Sequence, residues 1–417
     1  MTHKQFHVMS FRGLGALLRI ATIYGLGVML DLDEMSIFLF TLTLISTLPL
    51  FVSLEFHVPS VRRARRLAVQ GNERIYRTAL AANLIVPAVG TLAAIAPIFF
   101  FVGKSEFSLS SAQIAICIAI IFTDAVIQET QRILAIKEEQ TIVSIIFLSK
   151  QIQVLISVTV AFISHYLANL TFLNVFIASY LALSFIITMW LCRARYDQLF
   201  QFSGSQFRAN DVATWLKRNA KQSLVFFVSG IFGKLTFGYE RIIIAILFSK
   251  ELFAQYTFAI LIIGGIGSFI EPVVNQFVYP GLIRDFVEKN HRVIWKSLIR
   301  AAIVLCIFSC FSITAILISQ FVLKLEILQL SHKELSAFLC LLILLYANIL
   351  IQPFLLAGNL DAKIRNTNII VFVIMYGGIF SQEPTLVGLL TSMIVANLVG
   401  FSARFYHVSR MINLRNV

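Results

Sequence analysis

At 417 residues, 58% of them hydrophobic and only 13% charged, the chain has too few polar side chains to cover a water-soluble globule of its size, so its solvent is a bilayer. A net charge of +13 would suit nucleic acid in a soluble protein, but here the Lys and Arg residues cluster in short connections between apolar runs, where lipid headgroups are the natural contact. The composition thus excludes a soluble enzyme and argues against a nucleic-acid-binding module.

A helix needs about 20 apolar residues to cross the hydrocarbon. Six stretches read as spans in the first half: 12–31, 35–57, 78–102, 111–131, 141–166 and 170–192. The first lacks a small-residue cleavage site and is expected to be retained rather than removed as a signal peptide. The one long connection follows, 193–221, polar and basic, with Ser203-Gly204-Ser205 as a break. Within it, Phe207 to Leu216 reads either as a short helix along the membrane surface or as a mobile linker. Six more spans follow: 222–248, 252–279, 300–322, 335–358, 366–381 and 385–404. The eleventh is short and carries Gly377-Gly378, and Ser381-Gln382-Glu383-Pro384 reads as the outer turn after it. The expected fold is all-α and integral to the membrane: an N-terminal six-helix bundle over 1–192, a linker over 193–221, and a C-terminal six-helix bundle over 222–417.

Topology follows from charge. Of the 34 basic residues, 26 fall in alternate connections and the two tails, with Arg404, Arg410 and Arg415 assigned to the C-terminal tail. The other connections hold only Lys104, Lys250, Lys324 and Lys333. Positive-inside asymmetry therefore places both termini and residues 193–221 in the cytoplasm. Trp190, Trp215 and Trp295 all sit at expected cytoplasmic edges, where amphipathic rings prefer to lie. The five cysteines lie in or beside apolar spans and the seven histidines are scattered, so no metal site is expected.

The halves repeat. A shift of about 218 positions superposes Leu30 to Phe38 on Phe248 to Tyr256, each the tight outer turn between the first two helices of a half, and brings Arg66 onto Arg284. Each half holds an even number of spans, so the repeat is parallel, about an axis along the membrane normal. Two matched bundles imply a central cleft of transporter type.

An ionisable side chain inside a span costs about 2.5–3.5 kcal/mol on insertion scales, so each is expected to face a partner or a watery cavity. Those here are Arg19, Asp124, Lys150, Lys234, Glu240, Arg241 and Glu271, while Glu55 and Glu129 lie nearer span ends. On one continuous helix, Lys234 and Arg241 are seven residues apart and share a face about 10 Å long, accompanied by Gly230, Gly233 and Gly238. Asp124, Gln128 and Gln131 form one stripe, and Lys150, Gln153 and Ser157 another. Asp124 and Lys150 are expected either to pair between antiparallel neighbours or to meet a ligand. A cleft lined by Arg19, Lys150, Lys234 and Arg241 would hold a phosphate or diphosphate, and Asp124, Glu240 and Glu271 are candidates for proton or sodium coupling. No catalytic residues and no cofactor are expected.

The stretch Phe237-Gly238-Tyr239-Glu240-Arg241-Ile242-Ile243-Ile244, then Phe253-Ala254-Gln255-Tyr256-Thr257-Phe258-Ala259, then Tyr279-Pro280-Gly281-Leu282-Ile283-Arg284, resembles the bacterial polysaccharide (O-antigen) flippase family, the Wzx type of the multidrug/oligosaccharidyl-lipid/polysaccharide exporter superfamily. Members show an acidic-Arg pair before aliphatics, a short outer turn with a Tyr entering the next helix, and Pro-x-Leu at its inner end. Gly25 to Arg66 and Gln128-Glu129-Thr130-Gln131-Arg132-Ile133-Leu134 are similar to the same family's first half. The motifs are loose and shared with lipid II flippases and multidrug exporters, and the chain departs from them with Ala254 for the usual Gly and Glu240 for the usual Asp. The resemblance implies a V-shaped twelve-helix fold with a central cavity, rocking between inward-open and outward-open states. It also implies a bacterial inner-membrane setting, an undecaprenyl-diphosphate-linked oligosaccharide as cargo, and a polymerase and chain-length regulator as partners beside membrane lipids. Two other readings stand: a multidrug or metabolite exporter of the same superfamily, and a polysaccharide polymerase, which the short outer connections disfavour.

Overall fold

A computed structural model describes residues 3–54, 56, 59–60, 63, 74–136, 140–200, 209–236, 239–273, 291–322, 327, 329–357, 360–382 and 384–414, and no strand occurs among them. The helices are α1 (His3–Met29), α2 (Leu32–Val52), α3 (Arg74–Lys104), α4 (Ser111–Ile136), α5 (Gln140–Ala168), α6 (Phe172–Phe200), α7 (Ala209–Thr236), α8 (Glu240–Leu247), α9 (Lys250–Val273), α10 (His291–Leu317), α11 (His332–Ala357), α12 (Asp361–Ser381) and α13 (Leu386–Leu414). A π-helical turn, Ile318–Val322, continues α10. Ten helices among the described residues are long and apolar enough to cross a membrane. A helix is the form such a sequence must take in hydrocarbon, because it satisfies its own backbone groups without water. Leu92, Phe100, Phe311 and Phe380 are each more than 60% exposed, a surface suited to lipid and not to water. The chain is an all-α, multi-pass membrane protein.

Packing divides the chain into two compact units, Met1–Thr22 with Ile37–Ile231 and Ile23–Ser36 with Phe232–Val417. The division falls inside α1, α2 and α7. In the first unit, Arg12 Nε donates to Ser144 Oγ of α5 at 3.4 Å, and Phe38 packs edge-on against Phe176 of α6 at 4.8 Å. In the second, the Tyr24 hydroxyl donates to the Ala315 carbonyl of α10 at 2.7 Å.

The internal repeat shows in the helix caps. At the start of α2, Asp31 Oδ1 accepts the Glu34 N–H at 2.7 Å; at the start of α9, 218 positions on, Ser249 Oγ accepts the Leu252 N–H at 3.4 Å. Ahead of α4, Ser110 and Gln113 form a reciprocal capping box, with bonds of 2.7 and 3.3 Å. Ahead of α11, Ser331 and Glu334 form the same box at the same two distances. Both halves therefore start corresponding helices with the same local chemistry, although their apolar interiors differ in detail.

Three elements depart from the sequence expectation. The seventh span is not one helix over 222–248. The Tyr239 N–H reaches back to the Lys234 carbonyl at 2.9 Å, a six-to-one bond that closes the end of α7, and α8 starts afresh at Glu240. Lys234 thus lies in the last turn of α7 and Arg241 in the first turn of α8, so they do not share one continuous helix face.

The second departure is at 207–216. From Ala209 this stretch is the beginning of α7 and belongs to the first unit. Trp215 is buried in protein: its Nε1 donates to Ser60 Oγ at 2.9 Å, and with Val212 it belongs to a cluster with Phe56, Ala79 and Ala82. Asn219 Oδ1 accepts from Arg63, and Ser223 Oγ donates to the Leu54 carbonyl. Polar residues that look like linker from composition are satisfied one by one against the end of α2. Trp190, by contrast, is 44% exposed.

Third, α13 runs past residue 404 to Leu414, so Arg404 is a buried member of a helix and not part of a tail. In the eleventh span, α12 continues unbroken through Gly377-Gly378. Gly378 is there for proximity: an added Cβ would lie 2.7 Å from Ser392 Oγ of α13.

Candidate functional site

In the first unit the expected charges converge on Tyr180. The Asp124 carboxylate of α4 pairs with Lys150 of α5, as antiparallel neighbours at one depth allow. Its Oδ1 also accepts from Ser184 Oγ at 3.1 Å and its Oδ2 from the Tyr180 hydroxyl at 3.1 Å, both on α6. Lys150 Nζ sits 4.9 Å from the Tyr180 ring centroid, a cation-π contact. Gln153 Nε2 closes the group by donating to Ser184 Oγ at 2.6 Å and to the Tyr180 carbonyl at 2.7 Å. The charge of Arg19 on α1 acts on the same Tyr180 hydroxyl. Asp124 therefore accepts from three side chains, Lys150 and Ser184 on Oδ1 and Tyr180 on Oδ2, the kind of hydrogen-bonded setting a buried acidic group needs. Gln153 comes in on the expected stripe of α5, whereas the two α6 residues enter the site without having been expected; Tyr180 and Ser184, four apart on one helix face, were the available signal.

In the second unit two of the expected residues, Glu240 and Arg241, act on Tyr256 of α9. Glu240, 3% exposed, accepts the Tyr256 hydroxyl on Oε1 at 3.1 Å. Arg241 and Tyr376 of α12 both act electrostatically on that hydroxyl. Tyr376 donates to the Leu235 carbonyl at 2.8 Å, beside Lys234, and so ties the end of α7 to α12. Arg19 and Lys150 belong to the first unit, Lys234 and Arg241 to the second. Glu271 lies on α9, but its side chain is outside the described residues, as are Glu55 and the Tyr279 to Arg284 motif.

A second polar group in this unit went unread in the sequence. Arg404, 3% exposed, donates from Nη1 to Asn348 Oδ1 of α11 and from Nη2 to Asn368 Oδ1 of α12, both at 2.7 Å. Asn348 Nδ2 in turn reaches the Asn397 side chain on α13 at 3.3 Å. These residues occupy the last three helices of their half, as Asp124, Lys150, Tyr180 and Ser184 occupy α4, α5 and α6 of theirs. Each bundle thus carries a buried polar core among its last three helices, anionic at the centre in one and cationic in the other.

Asn368 also touches α7. A Cβ added at Gly233 would lie 2.6 Å from Asn368 Nδ2, and Arg404 holds that amide in place. Gly233→Ala is therefore expected to cost about 1–3 kcal/mol through overpacking. Asn368→Ala removes the steric conflict, so Gly233→Ala should cost little more when added to Asn368→Ala than that variant costs alone, read in a thermal-unfolding assay of the purified protein. An unchanged melting temperature in Gly233→Ala would show that α7 and α12 are not in close approach.

Glu129 has a structural partner set. It pairs with Arg132 one turn on and accepts from Asn83 Nδ2 of α3 at 3.3 Å, which fits the reading of an end carboxylate neutralised by its adjacent basic connection. Among the described residues no three His, Cys, Asp or Glu side chains are grouped to hold a metal.

No protein-family profile matches the chain, and no curated protein matches it. Solved structures do. The MATE multidrug transporter DinF-BH matches with a TM-score of 0.61 at 12% identity over 97% of this chain and 94% of its own. The eukaryotic MATE transporter AtDTX14 matches with a TM-score of 0.60 at 10% identity over 98% and 96%. An outward-facing multidrug resistance MATE family transporter of the MOP superfamily matches with a TM-score of 0.54 at 14% identity over 99% and 96%. At such identities the likeness is one of fold: the chain has the multi-pass fold of MATE transporters over nearly its whole length.

Proposed function

We propose that the chain is an exporter working by alternating access, and that its cargo is an undecaprenyl-diphosphate-linked oligosaccharide moved across the bacterial inner membrane for O-antigen, capsule or exopolysaccharide assembly. The observation that carries the choice of cargo is the sign of its intramembrane charge. Arg19, Lys150, Lys234 and Arg241 lie in spans or at a span's break, Lys150 in a pair with Asp124, and Arg404 is buried. Bases in a low-dielectric setting favour a phosphate-bearing headgroup and disfavour a cation. The diphosphate would engage Arg19, Lys234 and Arg241, with Lys150 tethered by Asp124 as a fourth member. The sugar would pass through the protein while the lipid tail stays in the membrane, with no covalent step. Asp124, Glu240 and Glu271 remain candidates for proton or sodium coupling, and a polymerase and a chain-length regulator are the partners this pathway would supply.

Export of drugs or metabolites is the second reading. It is favoured by the multidrug transporters named among the structures of the same fold, and by the carboxylates Asp124 and Glu240, which offset part of the positive charge. A strain lacking its own O-antigen flippase and sensitised to dyes separates the two. Restoration of surface polysaccharide with unchanged dye accumulation supports the flippase; lowered dye accumulation with no polysaccharide supports the exporter.

The orientation has its own test. Both termini and 193–221 are assigned to the cytoplasm, so Cys introduced at Ser205 should be protected from a membrane-impermeant thiol reagent in intact cells, while Cys at Ser108 should be labelled. Labelling in the opposite sense would invert the topology.

A further inference from the structure

The second unit holds a cavity of about 170 Å³ that its polar groups do not use. Ala302 and Leu305 of α10, Ala347 and Phe354 of α11, and Phe401 and Phe405 of α13 line it, with no polar side chain among the lining residues. It follows the helix axes: Leu298 to Leu305 on one wall and Ala347 to Phe354 on the other each span about 10 Å. Ala302 and Phe405 are exposed, and the neighbouring Ile299, Ile303 and Leu398 are at least half exposed, so the cavity is a groove opening sideways from three helices that each contain a membrane-crossing stretch. Lined in this way it does not hold ordered water, and left empty it would forfeit dispersion contacts along its whole length. A flexible hydrocarbon chain meets both conditions.

The charge at one end says which lipid carries that chain. Leu298 and Phe401 pack against a buried cluster that joins Ile351 and Phe354 to Leu355, Ile364 and Val408, and Ile364 is one residue from exposed Lys363. The charges of Lys363 and Arg410 both act on His407, two residues beyond Phe405. In sequence, the segments 291–300, 360–366 and 404–415 carry eight Lys and Arg against the single acid Asp361. We propose that this groove binds one acyl chain of an anionic phospholipid, whose phosphate is held by Lys363 and Arg410. The site is separate from the Tyr256 group and does not depend on the identity of the exported cargo.

Native mass spectrometry of the purified full chain tests this with dioleoyl phosphatidylglycerol and dioleoyl phosphatidylcholine, which share their chains and differ in headgroup charge. The wild-type protein should retain the anionic lipid roughly tenfold better. Ala302→Trp fills the groove from an exposed position and should abolish that retention at unchanged melting temperature. Lys363→Gln with Arg410→Gln should bring the anionic lipid down to the level of the neutral one. Retention of phosphatidylglycerol by Ala302→Trp as in wild type, or equal retention of the two lipids by the wild-type chain, would overturn the proposal. Displacement of phosphatidylglycerol by equimolar undecaprenyl phosphate would overturn the phospholipid as occupant and assign the groove to the isoprenoid chain. If Ala302→Trp does not fold, Phe405→Ala, which removes one half-exposed wall, decides: undiminished retention there also overturns the proposal.

Discussion

Asp124→Ala is expected to destabilise the protein by about 3–5 kcal/mol, the largest effect of any single substitution considered, because it leaves the Lys150 ammonium in the bundle without its counter-charge. Tyr180 and Ser184 would lose their common acceptor in the same step. The check is the yield of monodisperse protein after detergent extraction, with its melting temperature. Asp124→Asn combined with Lys150→Met removes both charges and keeps an oxygen for Tyr180 and Ser184, so it should recover most of the loss. The double variant also speaks to coupling. If it transports with its gradient dependence intact, the pair is a structural bridge between α4 and α5; if it folds but loses that dependence, Asp124 carries the coupling ion.

The second large effect concerns the bases. Arg241→Ala, Arg19→Ala and Lys234→Ala should each reduce delivery of surface polysaccharide by roughly 10- to 100-fold at matched protein levels, the worth of a charge-assisted contact to a phosphate in a dry site. For Arg241→Ala a folding defect must be separated from a transport defect, since its charge also acts on the Tyr256 hydroxyl that donates to Glu240. Arg241→Lys does this. It keeps the charge and should restore folding in full, but restores transport only in part because an ammonium cannot reproduce a two-pronged guanidinium contact. Near-normal transport by all three Ala variants would make these bases structural counter-ions.

How far the sequence could be read depended on what kind of signal each feature left. Apolar length is a strong signal, and an all-α fold with ten helices among the described residues long and apolar enough to cross a membrane follows from it. The pairing of Asp124 with Lys150 was legible because both lie in long uninterrupted helices whose stripes have a fixed period. Where that continuity fails, the argument fails with it: Lys234 and Arg241 look like one stripe only if α7 does not end, and the capping bond at Tyr239 is a three-dimensional event. Arg404 was misread for a related reason. Placed at the end of an apolar run beside Arg410 and Arg415, it has the pattern of a tail, and the carboxamides brought by α11 and α12 help make a buried position tolerable. Trp215 shows the converse: its ring fits an interface by composition, and Ser60, 155 positions away, takes it into a core instead.

The central claim is that this fold moves a lipid-linked diphosphate oligosaccharide. Its most direct test is the purified chain in liposomes loaded with undecaprenyl-diphosphate-linked oligosaccharide, with headgroup exposure followed by an externally added enzyme that cannot cross the membrane. Wild-type protein should make the inner-leaflet pool accessible within minutes, and the Arg19→Ala/Lys234→Ala/Arg241→Ala variant should leave it protected like protein-free liposomes. A pool that stays protected with wild-type protein, in liposomes where the same protein drives efflux of a cationic dye, would contradict the account and establish drug export instead.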